Sequence, residues 1–105
     1  HVLRSISRMS ELAERFPDDL GLKERALNQA ARELLLYQAS DWAFMLKNKT
    51  SPEYARARLE ENIKSFSNIY ESLGGNYIST EWLTSLEKRH KLFPGINYRV
   101  FRKKR

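Results

Sequence analysis

Gln38-Ala39-Ser40-Asp41-Trp42 places an amide, a hydroxyl, a carboxylate and an indole within five consecutive residues. A carboxylate accepts hydrogen bonds from hydroxyls, and an indole offers a broad apolar face to ring C–H groups, so Asp41 and Trp42 together have the chemistry of a sugar contact. Gln38 and Ser40 add donors and acceptors to the same stretch and are secondary candidates. The purely structural alternative buries Trp42 in a core and pairs Asp41 with Arg58 of the following helix. Little else in the chain can do chemistry. Cysteine is absent, there is no glycine-rich phosphate loop, and His1 and His90 are too isolated to suggest a metal site, so neither a catalytic group, a cofactor nor a metal is expected. His90, near a helix end, reads as a solvated side chain that suits the helix dipole. The adjacent carboxylates Asp18-Asp19 and Glu60-Glu61 read as surface, and Trp82 with Tyr37, Tyr54, Tyr70, Tyr77 and Tyr98 as core or rim.

The elements that must position Asp41 are helical. From Leu22 to about Leu46, residues Leu27, Ala30, Ala31, Leu34, Leu35, Trp42 and Met45 recur at spacings of three, four and seven, the signature of one helix face. Gln38 and Asp41 fall on the same stripe, where polar groups must find partners or meet a ligand. At about 25 residues this helix spans nearly 40 Å, and a kink or break near Ser40 is allowed for. A first helix, Val2 to Phe16, carries Val2, Ile6, Met9, Ala13 and Phe16 on one stripe and stops at Pro17. A third opens at Thr50-Ser51-Pro52-Glu53, lines its inner face with Ala55, Leu59, Asn62, Ile63, Phe66, Tyr70 and Leu73, and ends at Gly74-Gly75-Asn76, where a left-handed glycine is expected to close it. A fourth starts at a Ser79 cap, uses Trp82, Leu83 and Leu86, and breaks at Phe93-Pro94-Gly95. Ile96, Tyr98, Val100 and Phe101 then alternate with polar residues in an extended tail that can lie back across the bundle. The expected fold is all-α: an irregular bundle of about four helices with an extended C-terminal tail, in one domain over residues 1–105.

Composition sets the partners. The chain of 105 residues is 41% hydrophobic and 30% charged, as in a water-soluble helical domain, and the lack of cysteine is compatible with a cytoplasmic location. No apolar run nears the ~18 residues of a membrane helix, so no membrane partner is expected. Five of the 19 basic residues lie between Arg99 and Arg105, and the body before them balances 14 basic against 13 acidic side chains. With its charge in a short tail instead of a patch on the fold, the chain is not expected to bind nucleic acid specifically. The first residue is His, not Met, and a helical pattern starts at once, which fits a piece of a longer polypeptide.

Arg25-Ala26-Leu27-Asn28-Gln29-Ala30-Ala31-Arg32-Glu33-Leu34-Leu35-Leu36, then Gln38 to Phe44, Thr50, Tyr54-Ala55 with Arg58, and Phe93-Pro94 with Ile96-Asn97-Tyr98-Arg99 and Phe101 resemble the C-terminal helical domain of glycoside hydrolase family 57 1,4-alpha-glucan branching enzymes. The resemblance covers nearly the whole chain. It implies a parent enzyme that cuts an α-1,4 bond in a glucan and rejoins the segment through an α-1,6 bond, by a retaining route with two carboxylates about 5–5.5 Å apart. Both would come from a barrel domain preceding this one, so the chain alone is expected to be inactive. Its implied partners are an α-glucan and that barrel, and its implied task in glycogen synthesis is to complete the substrate cleft, with Asp41 binding a glucan hydroxyl, Trp42 either touching sugar or packing beneath that contact, and Gln38 and Ser40 as weaker candidates on the rim. The chain departs from the resemblance at Asn62, where His is common, and in the basic run Arg102-Lys103-Lys104-Arg105. A rival reading from another class is a freestanding helical interaction module, with Asp41 and Trp42 sealed in the core and a basic tail contacting a protein or nucleic acid.

Overall fold

Helix length decides how this chain packs. The computed structural model describes residues 2–18, 20–46, 52–75, 77–91 and 95–101, which form α1 (Val2–Arg15), α2 (Leu22–Leu46), α3 (Pro52–Gly75), α4 (Thr80–Arg89) and a 3-10 turn (Tyr98–Phe101). α2 touches every other element, and α3 runs antiparallel along it. The cap of α4 is the expected one, with Ser79 Oγ accepting from the Trp82 amide at 3.2 Å. α2 continues unbroken through Ser40, a stretch that holds no proline or glycine to interrupt it. The cap residues Thr50 and Ser51, and the break at Phe93-Pro94, lie outside the described residues.

The core gathers Met9, Leu12 and Ala13 of α1, Ala26, Leu27, Ala30, Ala31 and Leu34 of α2, Phe66, Ile69 and Leu73 of α3, Leu83 and Leu86 of α4, and Tyr98. Small residues on α2 let its neighbours approach closely, and the larger side chains of the flanking helices fill the space. Two details differ from the sequence reading. Left-handed backbone appears at Gly21 (φ 69°), which leads the chain into α2, and at no other described glycine. At Gly75 the ring of Tyr77 lies where a Cβ would point, but that ring is exposed and can be displaced, and α3 is closed by the Tyr77 amide donating to the Ser72 carbonyl at 3.0 Å.

The tail does lie back across the bundle, against α1 and α2. Its residues Tyr98–Phe101 wind into a turn because Asn97 caps the start, its carbonyl accepting from the Val100 amide at 3.1 Å and its side chain from the Arg99 amide at 3.0 Å. Tyr98 is the anchor. Its ring is fully buried, its hydroxyl donates to the Phe16 carbonyl, and its amide donates to Asn28 Oδ1 at 2.9 Å. Arg99 donates to the Pro17 carbonyl at 2.7 Å and to Glu24 at 3.1 Å. It is thereby committed to the fold instead of serving as part of a basic tail. Residues 102–105 lie outside the described residues.

Truncating Tyr98 tests this clasp. Tyr98→Ala is expected to cost about 3–5 kcal/mol and Tyr98→Phe about 1–2 kcal/mol, the latter by leaving the Phe16 carbonyl without its donor. Urea denaturation followed by far-UV circular dichroism reads both, and an unchanged midpoint for Tyr98→Ala would refute the anchor.

Candidate functional site

Burial stops abruptly along the α2–α3 hairpin. Leu36 is the last buried residue among the described side chains of α2, and from Tyr37 to Trp42 every side chain is half-buried or exposed. On the antiparallel α3 the described side chains from Glu53 to Glu61 are likewise uncovered, and burial begins at Asn62. The hairpin therefore extends past α1, α4 and the tail, which cover only its other half. Tyr37 and Asp41 lie four residues apart and continue the core-facing stripe into this open region. Trp42 sits about 100° round the helix from Asp41. It is 65% exposed, not part of the core stripe on which its spacing had placed it. Leu36 is buried in its stead, Leu35 being only half so. The side chain of Met45 is not described.

Of the four candidates, Gln38, Ser40 and Asp41 are half-buried and Trp42 is exposed. All four thus stand on the uncovered end of one helix, but Ser40, two residues from both Gln38 and Trp42, lies on the opposite side of the helix from them, while Gln38, Asp41 and Trp42 share adjoining faces. Asp41 acts on Tyr37: burial first, and the Asp41 charge second, push the Tyr37 phenol above its ordinary pKa. Arg58, named above as a possible structural partner of Asp41, is exposed.

Just inside the point where burial begins lies a polar knot that the sequence reading did not foresee. Glu33 is fully buried. Its Oε1 accepts from Asn62 Nδ2 of α3 at 3.0 Å, and its Oε2 accepts from Gln29 Nε2 at 2.8 Å and faces His90 Nδ1 at 2.6 Å. Gln29 Nε2 also lies 3.4 Å from the His90 carbonyl, and its Oε1 accepts from Arg32. Burial lowers the Arg32 pKa, partly offset by Glu87 and Glu33. The far nitrogen of His90, Nε2, sits 3.4 Å from Glu61. His90 is therefore a half-buried link between α2 and α3, where a solvated side chain was expected. The signal was present in the spacing: Gln29 and Glu33 stand four apart on the apolar face of α2, and Asn62 interrupts the apolar face of α3. No buried side-chain nitrogen or oxygen among the described residues lacks a partner, and those residues contain no cluster of three or more metal-ligating side chains.

Comparison with known proteins followed this geometry. A family model described as "1,4-alpha-glucan branching enzyme, C-terminal" matches residues 1–101. The 1,4-alpha-glucan branching enzyme TK1436 of Thermococcus kodakarensis is 34% identical over 73 residues, covering 70% of this chain and 11% of that protein. The crystal structure of the alpha-amylase AmyC from Thermotoga maritima superposes with a TM-score of 0.88 at 39% identity, over 100% of this chain and 20% of that one. The chain thus spans a small part of the length of either relative.

Replacing the buried carboxylate tests the knot. Glu33→Leu leaves Asn62, Gln29 and His90 without their acceptor and is expected to cost about 3–5 kcal/mol, a fall in Tm of more than about 10 °C. Asn62→Asp sets a second carboxylate beside the first, so its penalty is expected to shrink between about pH 7 and about pH 4 as the introduced carboxyl takes up a proton. Thermal melts across that range check the sign. A penalty that grows on acidification would contradict this arrangement.

Proposed function

This chain belongs to the family of 1,4-alpha-glucan branching enzyme C-terminal domains, and from that membership we propose that it is the helical accessory domain of a glycoside hydrolase family 57 branching enzyme, completing the cleft in which a glucan is transferred. The sequence given is, on this reading, one domain of a longer polypeptide whose preceding barrel supplies the nucleophile and the acid-base carboxylate. The setting is glycogen synthesis in the cytoplasm. No helix among the described residues is long and apolar enough to cross a membrane.

The observation that carries the reading is the 65% exposure of Trp42 beside a half-buried Asp41, on a helix end that the other described residues leave uncovered. Exposing an indole to water forgoes about 1.5–3 kcal/mol of burial; Leu20, Tyr77 and Val100 are exposed to a similar degree elsewhere, and what sets Trp42 apart is the carboxylate next to it. An indole face and a carboxylate suit the apolar ring faces and hydroxyls of a sugar. Asp41 would hold a glucan hydroxyl, Trp42 would stack on a ring, and Gln38 would line the rim, with Ser40 turned to the other side of the helix. By fixing the acceptor chain and keeping water out, the domain would favour transfer over hydrolysis. The rival reading, a freestanding interaction module, required Trp42 and Asp41 to be sealed in the core, and Trp42 does not meet that requirement.

The test separates binding from stability. In the parent enzyme Trp42→Ala and Asp41→Asn are each expected to lower branch transfer at least about tenfold, equivalent to about 1.4 kcal/mol. Stability should stay within about 0.5 kcal/mol for the exposed Trp42. The ratio of hydrolysis to transfer should rise. A large loss of stability with transfer unchanged per folded molecule would refute the reading, as would branching by this chain alone.

A further inference from the structure

Between the open ends of α2 and α3 runs a groove of about 590 Å³ lined by Tyr37, Arg56, Leu59, Glu60 and Ile63, within the ~300–1,000 Å³ typical of small-ligand sites. Arg56 and Glu60 also border an adjoining hollow of about 280 Å³ with Glu53 and Ala57, so the depression continues along α3 toward its N-terminus.

The lining has a definite chemical character. Leu59, Ile63 and the Tyr37 ring are half-buried and supply an apolar floor. Arg56 and Glu60 are exposed and one turn apart on α3, one offering only donors and the other only acceptors. Their charges cancel over that turn. A phosphate or nucleic-acid strand would gain at Arg56 and be repelled at Glu60, and a cationic peptide would meet the reverse. An uncharged ligand with apolar ring faces and many hydroxyls engages the floor, the donor and the acceptor together. The Tyr37 phenol is a hydrogen-bond donor at neutral pH, as any tyrosine is. Tyr37 and Asp41 occupy one helix face, which makes the groove continuous with the Asp41 side of the candidate site.

We propose that this groove is a separate saccharide subsite, in which a sugar ring lies on Tyr37 between Leu59 and Ile63 and its hydroxyls are held by Arg56 and Glu60. The choice of an α-glucan as the saccharide rests on the function proposed above. A linear chain contacting Asp41 runs on into the groove, so the hairpin holds more than one residue of the polymer.

Titration of the 105-residue chain with maltoheptaose, followed by amide chemical shifts, tests the subsite. Shifts are expected at Tyr37 and across residues 56–63, with weak affinity in the ~millimolar range. Arg56→Ala combined with Glu60→Gln is expected to weaken binding at least about fivefold, as loss of about one net hydrogen bond would, while the circular dichroism spectrum stays unchanged. Trp42→Ala should leave the groove shifts in place. Shifts confined to Asp41 and Trp42 and untouched by the double variant would overturn the subsite and leave the proposed function standing. Absence of any shift at ~20 mM sugar would overturn it too, the proposed function being decided separately by Trp42→Ala in the parent enzyme. Hydrogen-exchange protection of residues 56–63 that is greater in the sugar-free parent than in the 105-residue chain would mean that polypeptide covers the groove, which also overturns it.

Discussion

Two long helices are only half covered, and the rest of the molecule follows from that mismatch. α2 and α3 run 25 and 24 residues, whereas α1 has 14 and α4 has 10. At 1.5 Å per residue the longer pair outreaches its neighbours by roughly 15 Å. An amphipathic helix gains its stability from an apolar face that something else covers. Past the end of the cover, the same face must be polar or must await another surface. Leu36 and Asn62 mark that boundary on the two helices, and Tyr37, Asp41 and Trp42 lie just beyond it.

At the boundary the chain places Glu33, a fully buried carboxylate. Removing such a group from water costs several kcal/mol, and only close partners repay it. Gln29 of α2, Asn62 of α3 and His90 at the end of α4 supply them, so one side chain fixes three helices relative to one another. A leucine at this position would pack, yet would set no direction. Hydrogen bonds specify register as apolar contact does not, and register is what determines where the open end of the hairpin points. At the opposite end of α2, Arg25 grips Glu87 at 2.6 Å and Thr84 at 3.1 Å, with the hydrogen bond to Glu87 raising the arginine pKa. Exposed as it is, that pair contributes orientation more than stability.

The helices themselves were legible in the sequence because periodicity, proline and capping residues are local signals. α2, the Ser79 cap and the tail's return across the bundle could be read from them. What could not be read was where the cover ends. Trp42 satisfies the helical stripe as well as Leu34 does, but one is exposed and the other buried, because their fates depend on how far α1 and α4 reach. The Glu33 knot was hidden for a related reason. His90 is 57 residues away in sequence, and its approach to Glu33 exists only once α4 has docked. Asn28 and Tyr98, 70 residues apart, meet through one hydrogen bond that joins two segments otherwise separate in the chain. The end of α3 shows the same limit: it closes through the Tyr77 amide on the Ser72 carbonyl and not through a left-handed glycine.

The division between a locked half and an open half suits a domain proposed to work beside another. A contact surface held within a fraction of an ångström gains affinity by losing little entropy on binding. α2 provides that rigidity by running unbroken from the clasp at Asn28 and Tyr98, through the Glu33 knot, to Asp41. Since the helix rises about 12 Å over the eight residues from Glu33 to Asp41, a small tilt at the knot becomes a displacement of the same proportion at the carboxylate. A substitution in the knot that spares the fold should therefore act on a ligand at Asp41 without touching it. The polar groups of this domain form one mechanical series: Gln29, Glu33, Tyr37 and Asp41 recur every fourth residue, buried where they orient and uncovered where they can be reached.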